Sequence, residues 1–552
     1  MFSNLLSHKI LKYAGFCGLI STVAVNPFSN LDAVNLPKML ILSGFTFGIL
    51  LLLVTQYKVL YKINNRFLSF TVFLFIIWQL IALNFNKAPF EQQFFGSYGR
   101  NTGFLTYFCF SLIFLAISFS NINVNRNIIT NSAIFVFTIS SIYGFLQYLN
   151  FDIIKWHNPY SKVIGFVGNP DFESALLGFL SSVVLAQIFR NDLKPRLRIL
   201  GISLLLVTYF TIYSSGSRQG LVVSVLVLGA TIFIYLQYVI KNRTIKNGIL
   251  VGYMFISSLS ILGMLQKGPF EKYLYKSSLS TRGDYWESSL NMIAHRPFFG
   301  VGLDSFGDWY RTFRPVTAAL KYEGEDITNA SHNVYLDLAA TSGIIALVAF
   351  LILQFYTALV CYKYLKIKKV FDPIFVGILV GWIGYLAQAF ISINNIGLGV
   401  WGWIFPAFLI AYARSFSDIN DQEKLKVKTS KLSDFSNYRI AVGVLIGTII
   451  ALPPVVSDMF FRKAIENGNP QLIYDAANKW PTNTTRLNNT AKLFRNNKAE
   501  QVALNLAELS IKHDEQNYDA WRYIYTSNLA SSAEKKTALN NMKKIDPNDL
   551  IL

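Results

Sequence analysis

Apolar runs of about twenty residues, separated by short polar connections, recur along the whole chain, and that is the length a helix needs to cross a hydrocarbon layer. Inside lipid every backbone N–H and C=O must be bonded within its own segment, so runs of this length fold as helices. We place about thirteen spans, at 11–25, 39–54, 67–83, 103–119, 128–149, 172–189, 199–213, 221–240, 248–265, 334–361, 374–391, 398–412 and 440–456. Composition agrees, because 53% of the 552 residues are hydrophobic and 15% are charged, too apolar a balance for a soluble chain of this size. The expected class is an all-α polytopic membrane protein.

The formal charge of +19 does not point to nucleic acid, since the cations are spread over short loops instead of clustering on one soluble domain. Their distribution reports orientation. With the N-terminus inside, the inner loops hold Lys58, Lys62, Arg66, Arg126, Arg190, Lys194, Arg196, Arg198, Lys241, Arg243, Lys246, Lys363, Lys366, Lys368, Lys369 and the Lys424 to Lys431 group. The alternate loops hold chiefly Lys87, Arg100, Lys155, Lys162 and Arg218. This places the polar segment 280–331 outside the cytoplasm and, with an odd number of spans, the tail as well. The N-terminal run reads as a retained first span, because no small-residue cleavage site follows it. Cys17, Cys109 and Cys361 lie in or beside apolar runs and read as packing residues, not as a disulfide or a thiolate metal site.

Four regions follow: nine spans in 1–265, an extracytoplasmic loop in 266–333, four spans in 334–457 and a soluble helical tail in 458–552. In the tail, apolar residues recur at helical spacing around Gln501 to Ser510, and Asp546-Pro547-Asn548 closes the last helix. Tyr518, Ala520 and Trp521 open one helix in a way that resembles degenerate tetratricopeptide repeats, although no fixed period is visible. A plain helical cap and a repeat array that docks a protein partner both fit.

Chemistry is expected where cations oppose the orienting bias. Arg218 follows Ser214-Ser215-Gly216-Ser217 where a span begins on the outer side, so helix N–H groups, the positive helix end and a guanidinium converge into an anion site. The other reading is an arginine reaching for lipid headgroups. Arg282 follows Ser280 and Thr281, either of which could cap a helix through Trp286, Leu290 and Ile293 that ends at Pro297; it could also pair with Asp284. Arg100 sits in Gly96-Ser97-Tyr98-Gly99-Arg100, which also describes an ordinary loop.

His332 is the sharpest candidate. Ser331 or Asn329 would cap a helix running from here into the membrane, and the positive helix end would keep the imidazole neutral and able to accept a proton. The bland alternative is a buried histidine bonded to a carbonyl. His8, His157, His295 and His513 show no metal-ligand spacing, and no metal is expected. In Gly168-Asn169-Pro170-Asp171-Phe172-Glu173, Asn169 reads as a cap with Pro170 in the first turn, while Asp171 and Glu173 stand either as helix-start acids or as sugar-binding groups. Gly300 and Gly302 form a turn, since no Walker lysine accompanies them.

On these residues the chain resembles the O-antigen ligase and polymerase superfamily of bacterial membrane glycosyltransferases. The likeness covers roughly 96–412 and is strongest from Arg282 to Gly343. It is carried by Arg282 with Trp286, Pro297 with Gly300 and Gly302, and Ser331-His332-Asn333 followed by Gly343. Ser215-Gly216-Ser217-Arg218-Gln219-Gly220 and Gly168-Asn169-Pro170 support it. The resemblance implies a C-type glycosyltransferase fold with no cofactor. It also implies transfer of a glycan from an undecaprenyl-diphosphate carrier to an acceptor hydroxyl on lipid A core, protein or polysaccharide. It further implies that Arg218 and Arg282 hold the diphosphate, that His332 activates the acceptor, and that Arg100, Ser217, Asp284, Trp286, Asn333, Asn169, Asp171 and Glu173 stand ready to contact substrate. A polymerase, or a transporter of lipid-linked glycans without enzymatic activity, is the alternative. A transporter would be expected to show internal repeats meeting at the bilayer midplane, and none is visible.

Overall fold

The computed structural model describes residues 2–549 apart from 55–64, 155, 157–160, 162, 265–266, 275–276, 322–326 and 418–435. Lys58, Lys62, Lys155, Lys162, His157 and the Lys424 to Lys431 group therefore lie outside the described residues. Among the described residues the regular structure is helical, without strands.

Ten helices are long and apolar enough to cross a membrane, from Asn35–Val54 to Asn437–Asn467, so the chain is a multi-pass membrane protein. The remaining three of the thirteen expected segments are helices outside that set: Asn4–Val23, the shorter Phe104–Ser118, and Arg243–Met264. The expected span at 334–361 is two helices. Val334–Ser342 stops at Gly343, and Ile344–Ile367 begins afresh beyond it. Hydropathy merges them because the break is a change of backbone direction, not of polarity. Gly343 has φ 87°, and a side chain there would run into the Phe298 carbonyl.

That break is where the polar segment 297–302 docks. Ile344 N–H donates to the Pro297 carbonyl (2.8 Å), Val301 N–H to Ala340 (2.9 Å) and Gly302 N–H to Thr341 (3.1 Å). The motif from Pro297 to Gly302 is thus a backbone clasp over the joint between the two helices. Trp78 locks it from the membrane side, its indole N–H donating to the Phe298 carbonyl (3.0 Å) while its ring stacks on Phe299 (5.0 Å).

The helix Ser436–Asn467 runs without interruption through residues 457 and 458, where the tail was expected to begin. It lies against Asn35–Val54 through two glycine pairs four residues apart. A side chain on Gly443 would meet the Phe47 carbonyl, one on Gly447 the Ser43 carbonyl, and Gly44 and Gly48 face Thr448 and Val444 in return. Small residues at this spacing let two backbones approach in lipid, where dispersion and short hydrogen bonds replace the hydrophobic drive. Ser43 Oγ donates to the Gly447 carbonyl across the seam (2.8 Å).

Beyond that helix the tail forms paired helices, Thr484–Asn496 with Glu500–His513 and Tyr518–Thr526 with Ser532–Ile545. The pairs begin 34 residues apart, at Thr484 and Tyr518, the spacing of tetratricopeptide units, which the sequence pattern does not display. The tail is fastened to the polar segment that precedes His332. Buried Asp546 accepts from Arg311 (3.1 Å) and Arg314, Thr312 Oγ donates to the Ile545 carbonyl (2.8 Å), and Asn548 reaches the Arg314 carbonyl (3.1 Å). Tyr98 donates to Asp458 (2.7 Å). Tail, polar segment and the loop around Arg100 therefore occupy the same end of the helical bundle.

Candidate functional site

Three helix starts and one helix flank converge at that end. The first start is Pro170–Ile188. Asn169 caps it through Oδ1 to the Asp171 N–H (2.8 Å), with Pro170 at the first position, as the sequence indicates. The second is Arg218–Val239, capped by Ser217, whose oxygen accepts from Gly220 N–H (3.2 Å). The two are tied together, because Ser217 Oγ donates to Asp171 Oδ1 (2.6 Å).

The third start is Val334–Ser342, and here the capping residue differs from expectation. Asn333, not Ser331 or Asn329, accepts from the Tyr335 and Leu336 N–H groups (3.0 and 3.1 Å). Asn333 is buried and its Oδ1 serves as the cap, which fixes the turn next to His332. Ser331 serves the same turn: its Oγ accepts from Asn333 N–H and donates to the Asn333 carbonyl. His332 is thereby left one residue outside the helix, in the left-handed region at φ 52°. Histidine enters that region more readily than bulky or β-branched residues do.

The flank is Ser277–His295. Residues 280 and 281 lie inside it, so neither is its cap. Arg282, Tyr285 and Trp286 fall on adjacent turns of one helix, and Tyr285 stacks on the His332 ring at 5.5 Å. Asp284 does not pair with Arg282; it is ion-paired to Lys321. Trp286 packs edge-on to Phe390 (5.6 Å), and its indole N–H is buried with no hydrogen-bond partner among the described residues.

Electrostatics join these pieces. Burial first, then Arg282 and Arg100, push His332 down to about 4, with Asp171 opposing them. The ring is therefore neutral at pH 7, as expected, but the field that keeps it so comes from burial and two guanidinium groups more than from a helix end. Burial also lowers Arg282, opposed by Asp171 and Tyr285. Arg282 makes no hydrogen bond or ion pair among the described residues, so a partly buried cation is held facing a histidine and a carboxylate with its donors unspent. An open cleft of about 430 Å³ is lined by His332, Tyr285, Asn329, Thr328, Ile327 and Gly307.

Not every expected residue joins. Arg100 is 5% exposed, and its guanidinium is spent inside the protein on Asp304 (3.2 Å), Asp337 (3.4 Å) and the Asn329 carbonyl (2.6 Å). It ties the His332 loop to Asp304 and is buried within the protein. Glu173 is fully buried beneath Gly165, whose positive φ of 56° leaves no room for a side chain over the carboxylate. It reads as a packing carboxylate, not a sugar ligand. Arg218 is exposed at its helix start and joins the cluster only through its neighbour Ser217.

Two residues were missed. Gln219 and Gln388 are 5% and 1% exposed, and each has a side-chain amide N–H group without a partner among the described residues. On Arg218–Val239, Gln219 shares a face with Val223 and Val227, and Val227 touches Gly384, one turn below Gln388 on Pro373–Ile391. Both amides thus lie along one seam, at the end that opens on Asp171. A glutamine within an apolar run was the available signal, and the arginine beside Gln219 drew attention from it.

Residues 202–351 match the family model described as O-antigen ligase. This stretch is similar to the O-antigen ligase family. The matched stretch contains Ser217, Arg218, Arg282, Asp284, Trp286, His332 and Asn333, whereas Arg100, Asn169, Asp171 and Glu173 lie before it. The chain is also 24% identical over 185 residues to an uncharacterized protein of Haemophilus influenzae, an overlap of 31% of this chain and 45% of that one. The chain therefore spans under half the length of that relative. The matched stretch also contains the clasp around Gly300 and the break at Gly343.

Proposed function

We propose that this protein is a glycosyltransferase that moves a glycan from an undecaprenyl-diphosphate carrier to an acceptor hydroxyl on the outer face of the cytoplasmic membrane. The observation that carries the reading is the neutral imidazole of His332 held beside Arg282, a guanidinium with unspent donors. Arg282 grips the diphosphate bidentately, and Arg218 with the free N–H groups of its helix start adds a second anion contact. The acceptor hydroxyl gives its proton to His332 as its oxygen bonds to the anomeric carbon. The bond from that carbon to the carrier diphosphate breaks in the same step, the leaving group takes the electron pair, and the configuration inverts. Cations aimed at such a leaving charge typically contribute several kcal/mol.

The depressed basicity of His332 fits this scheme. An imidazole near 4 is a poor base in the empty site, and the charges that make it so are the ones a diphosphate would neutralise. Donor binding then restores basicity where the acceptor arrives, so the base is active only with donor in place. The acceptor is lipid A core, a protein hydroxyl or the end of a polysaccharide, and the tail's paired helices, read as tetratricopeptide-like, offer a surface for a protein partner.

The test is a deletion strain analysed for surface glycans and glycoproteins. One glycan-modified product should vanish and return with the wild-type gene but not with His332→Ala expressed at equal level. An unchanged glycan profile in the deletion strain would reject the function.

A further inference from the structure

A small cavity of about 150 Å³ lies between the tail and the helical body. A cavity of about that volume can hold one six-membered ring. On the body side it is lined by Gln92, from the short helix Phe90–Phe95, and by Asp308, from the helix Phe306–Phe313. On the tail side it is lined by residues 481–486, where Thr484–Asn496 begins. Gly307 and Asn329 line it too, and the same two residues line the cleft that holds His332. The cavity therefore adjoins that cleft.

Several charged groups on its walls are spent within the protein. Asp304 accepts from the Ser97 and Thr102 N–H groups (2.8 and 3.1 Å) and pairs with Arg100. Asp458 accepts from Tyr98, Arg486 donates to the Ala477, Lys479 and Pro481 carbonyls, and Glu91 faces His513 at 3.9 Å. Other polar atoms stay uncommitted. Gln92 Nε2 donates to Asp308 Oδ2 (2.7 Å), which sets the two side chains against each other. Gln92 Oε1 and Asp308 Oδ1 make no hydrogen bond among the described residues and are open to solvent. Asn483 uses Oδ1 to cap its helix at the Arg486 N–H (3.1 Å), and its Nδ2 is likewise unbonded and open. Two neighbouring acceptors and an amide donor around one small cavity match hydroxyl groups, each of which both donates and accepts. Trp480 points the same way independently. It directly precedes the tail wall, is 54% exposed, and stands edge-on to Phe95, another residue of the wall (6.1 Å). An exposed indole at the rim of a polar cavity offers an apolar face to the C–H side of a sugar.

From this we infer that the cavity is a sugar subsite for the acceptor, in which Gln92 Oε1 and Asp308 Oδ1 accept from, and Asn483 Nδ2 donates to, hydroxyls of one ring, with Trp480 stacking on the glycan at the rim. The inference rests on the proposed glycan transfer and names the acceptor's class as carbohydrate. It is assigned to the acceptor because the cavity adjoins the His332 cleft, while neither Arg218 nor Arg282, the groups proposed for the diphosphate, lines it. The sugar belongs either to a lipid-linked core or to the end of a polysaccharide.

The full chain in lipid nanodiscs should be titrated with N-acetylglucosamine, glucose, galactose and their β-linked disaccharides, using saturation-transfer NMR with glycerol as control. At least one sugar should receive saturation and glycerol none. Asp308→Asn keeps an oxygen for Gln92, Asn483→Asp keeps the capping oxygen, and Trp480→Ala trims an exposed ring. All three should keep the melting temperature and bind that sugar about tenfold or more weakly. Absence of saturation in every sugar, or wild-type binding by Asp308→Asn and Asn483→Asp, would overturn the subsite. In turnover the variants should raise the KM for a glycan acceptor and leave that for the lipid-linked donor unchanged. Lipid A core oligosaccharide and polysaccharide fragments, offered separately, tell the two sources apart. A raised KM for the donor alone, or transfer to a serine peptide and to neither glycan, would overturn the assignment. His332→Ala should bind the sugar as wild type does, so a failed transfer mechanism and a failed subsite give different results.

Discussion

At the residue scale, His332 is understood as a titratable group made unusual by its neighbours. Its folded value of about 4 lies below the value of about 6.5 for an unfolded histidine. Between those values the unfolded chain binds the proton and the folded one does not, so stability is present above about 6.5 and is lost as pH falls towards 4. Thermal unfolding of the protein in detergent should therefore show wild type losing stability relative to His332→Asn as pH drops from 6.5 to 4, with their difference constant above 7. Asparagine accepts the left-handed backbone at this position, so the comparison isolates the charge. A constant difference across the whole range would mean that His332 is not shielded as described. The sequence made His332 legible because a histidine among outward arginines is rare. It left the function of Arg100 open, since Asp304 and Asp337, which consume its guanidinium, lie far away along the chain.

At the element scale, the clasp over Gly343 depends on backbone approaches that only glycine permits. Gly343→Ala would push a methyl group into the Phe298 carbonyl in a backbone region unfavourable to alanine, a loss of about 2–4 kcal/mol. Gly283 lies within Ser277–His295 with nothing within contact distance of an added methyl, so Gly283→Ala should gain roughly 0.5–1 kcal/mol. Denaturant titration of the two variants should move in opposite directions; equal effects would remove the clasp from the account. The helices themselves were legible because apolar run length and backbone satisfaction in lipid leave little else to form. The break at Gly343 was not, as hydropathy on both sides is alike and only the long-range contact with Pro297 to Gly302 turns the chain. The four glycines at 44, 48, 443 and 447 were equally opaque, since their meaning lies in a pairing between distant helices.

At the scale of the whole molecule, the tail is joined to the end of the bundle that holds His332 instead of hanging from it. Asp546 is buried between Arg311 and Arg314, on and just after the helix Phe306–Phe313 that precedes the His332 loop, so the end of the helix Ser532–Ile545 braces the segment that leads to His332. Composition separates a polar tail from an apolar body, while the helix Ser436–Asn467 runs through the expected boundary between them. It could not show their junction, because ion pairs between segments hundreds of residues apart leave no local periodicity. The central claim is that the space between Arg282 and His332 is where the carrier's diphosphate leaves and the acceptor's proton goes. The most direct measurement is single-turnover release of polyprenyl diphosphate from a lipid-linked glycan by the purified chain in nanodiscs, with acceptor present. Wild type should release it about a hundred- to ten-thousand-fold faster than His332→Ala, which should still bind the donor normally, while Arg282→Ala should bind it weakly. Release at the wild-type rate by His332→Ala would contradict the account.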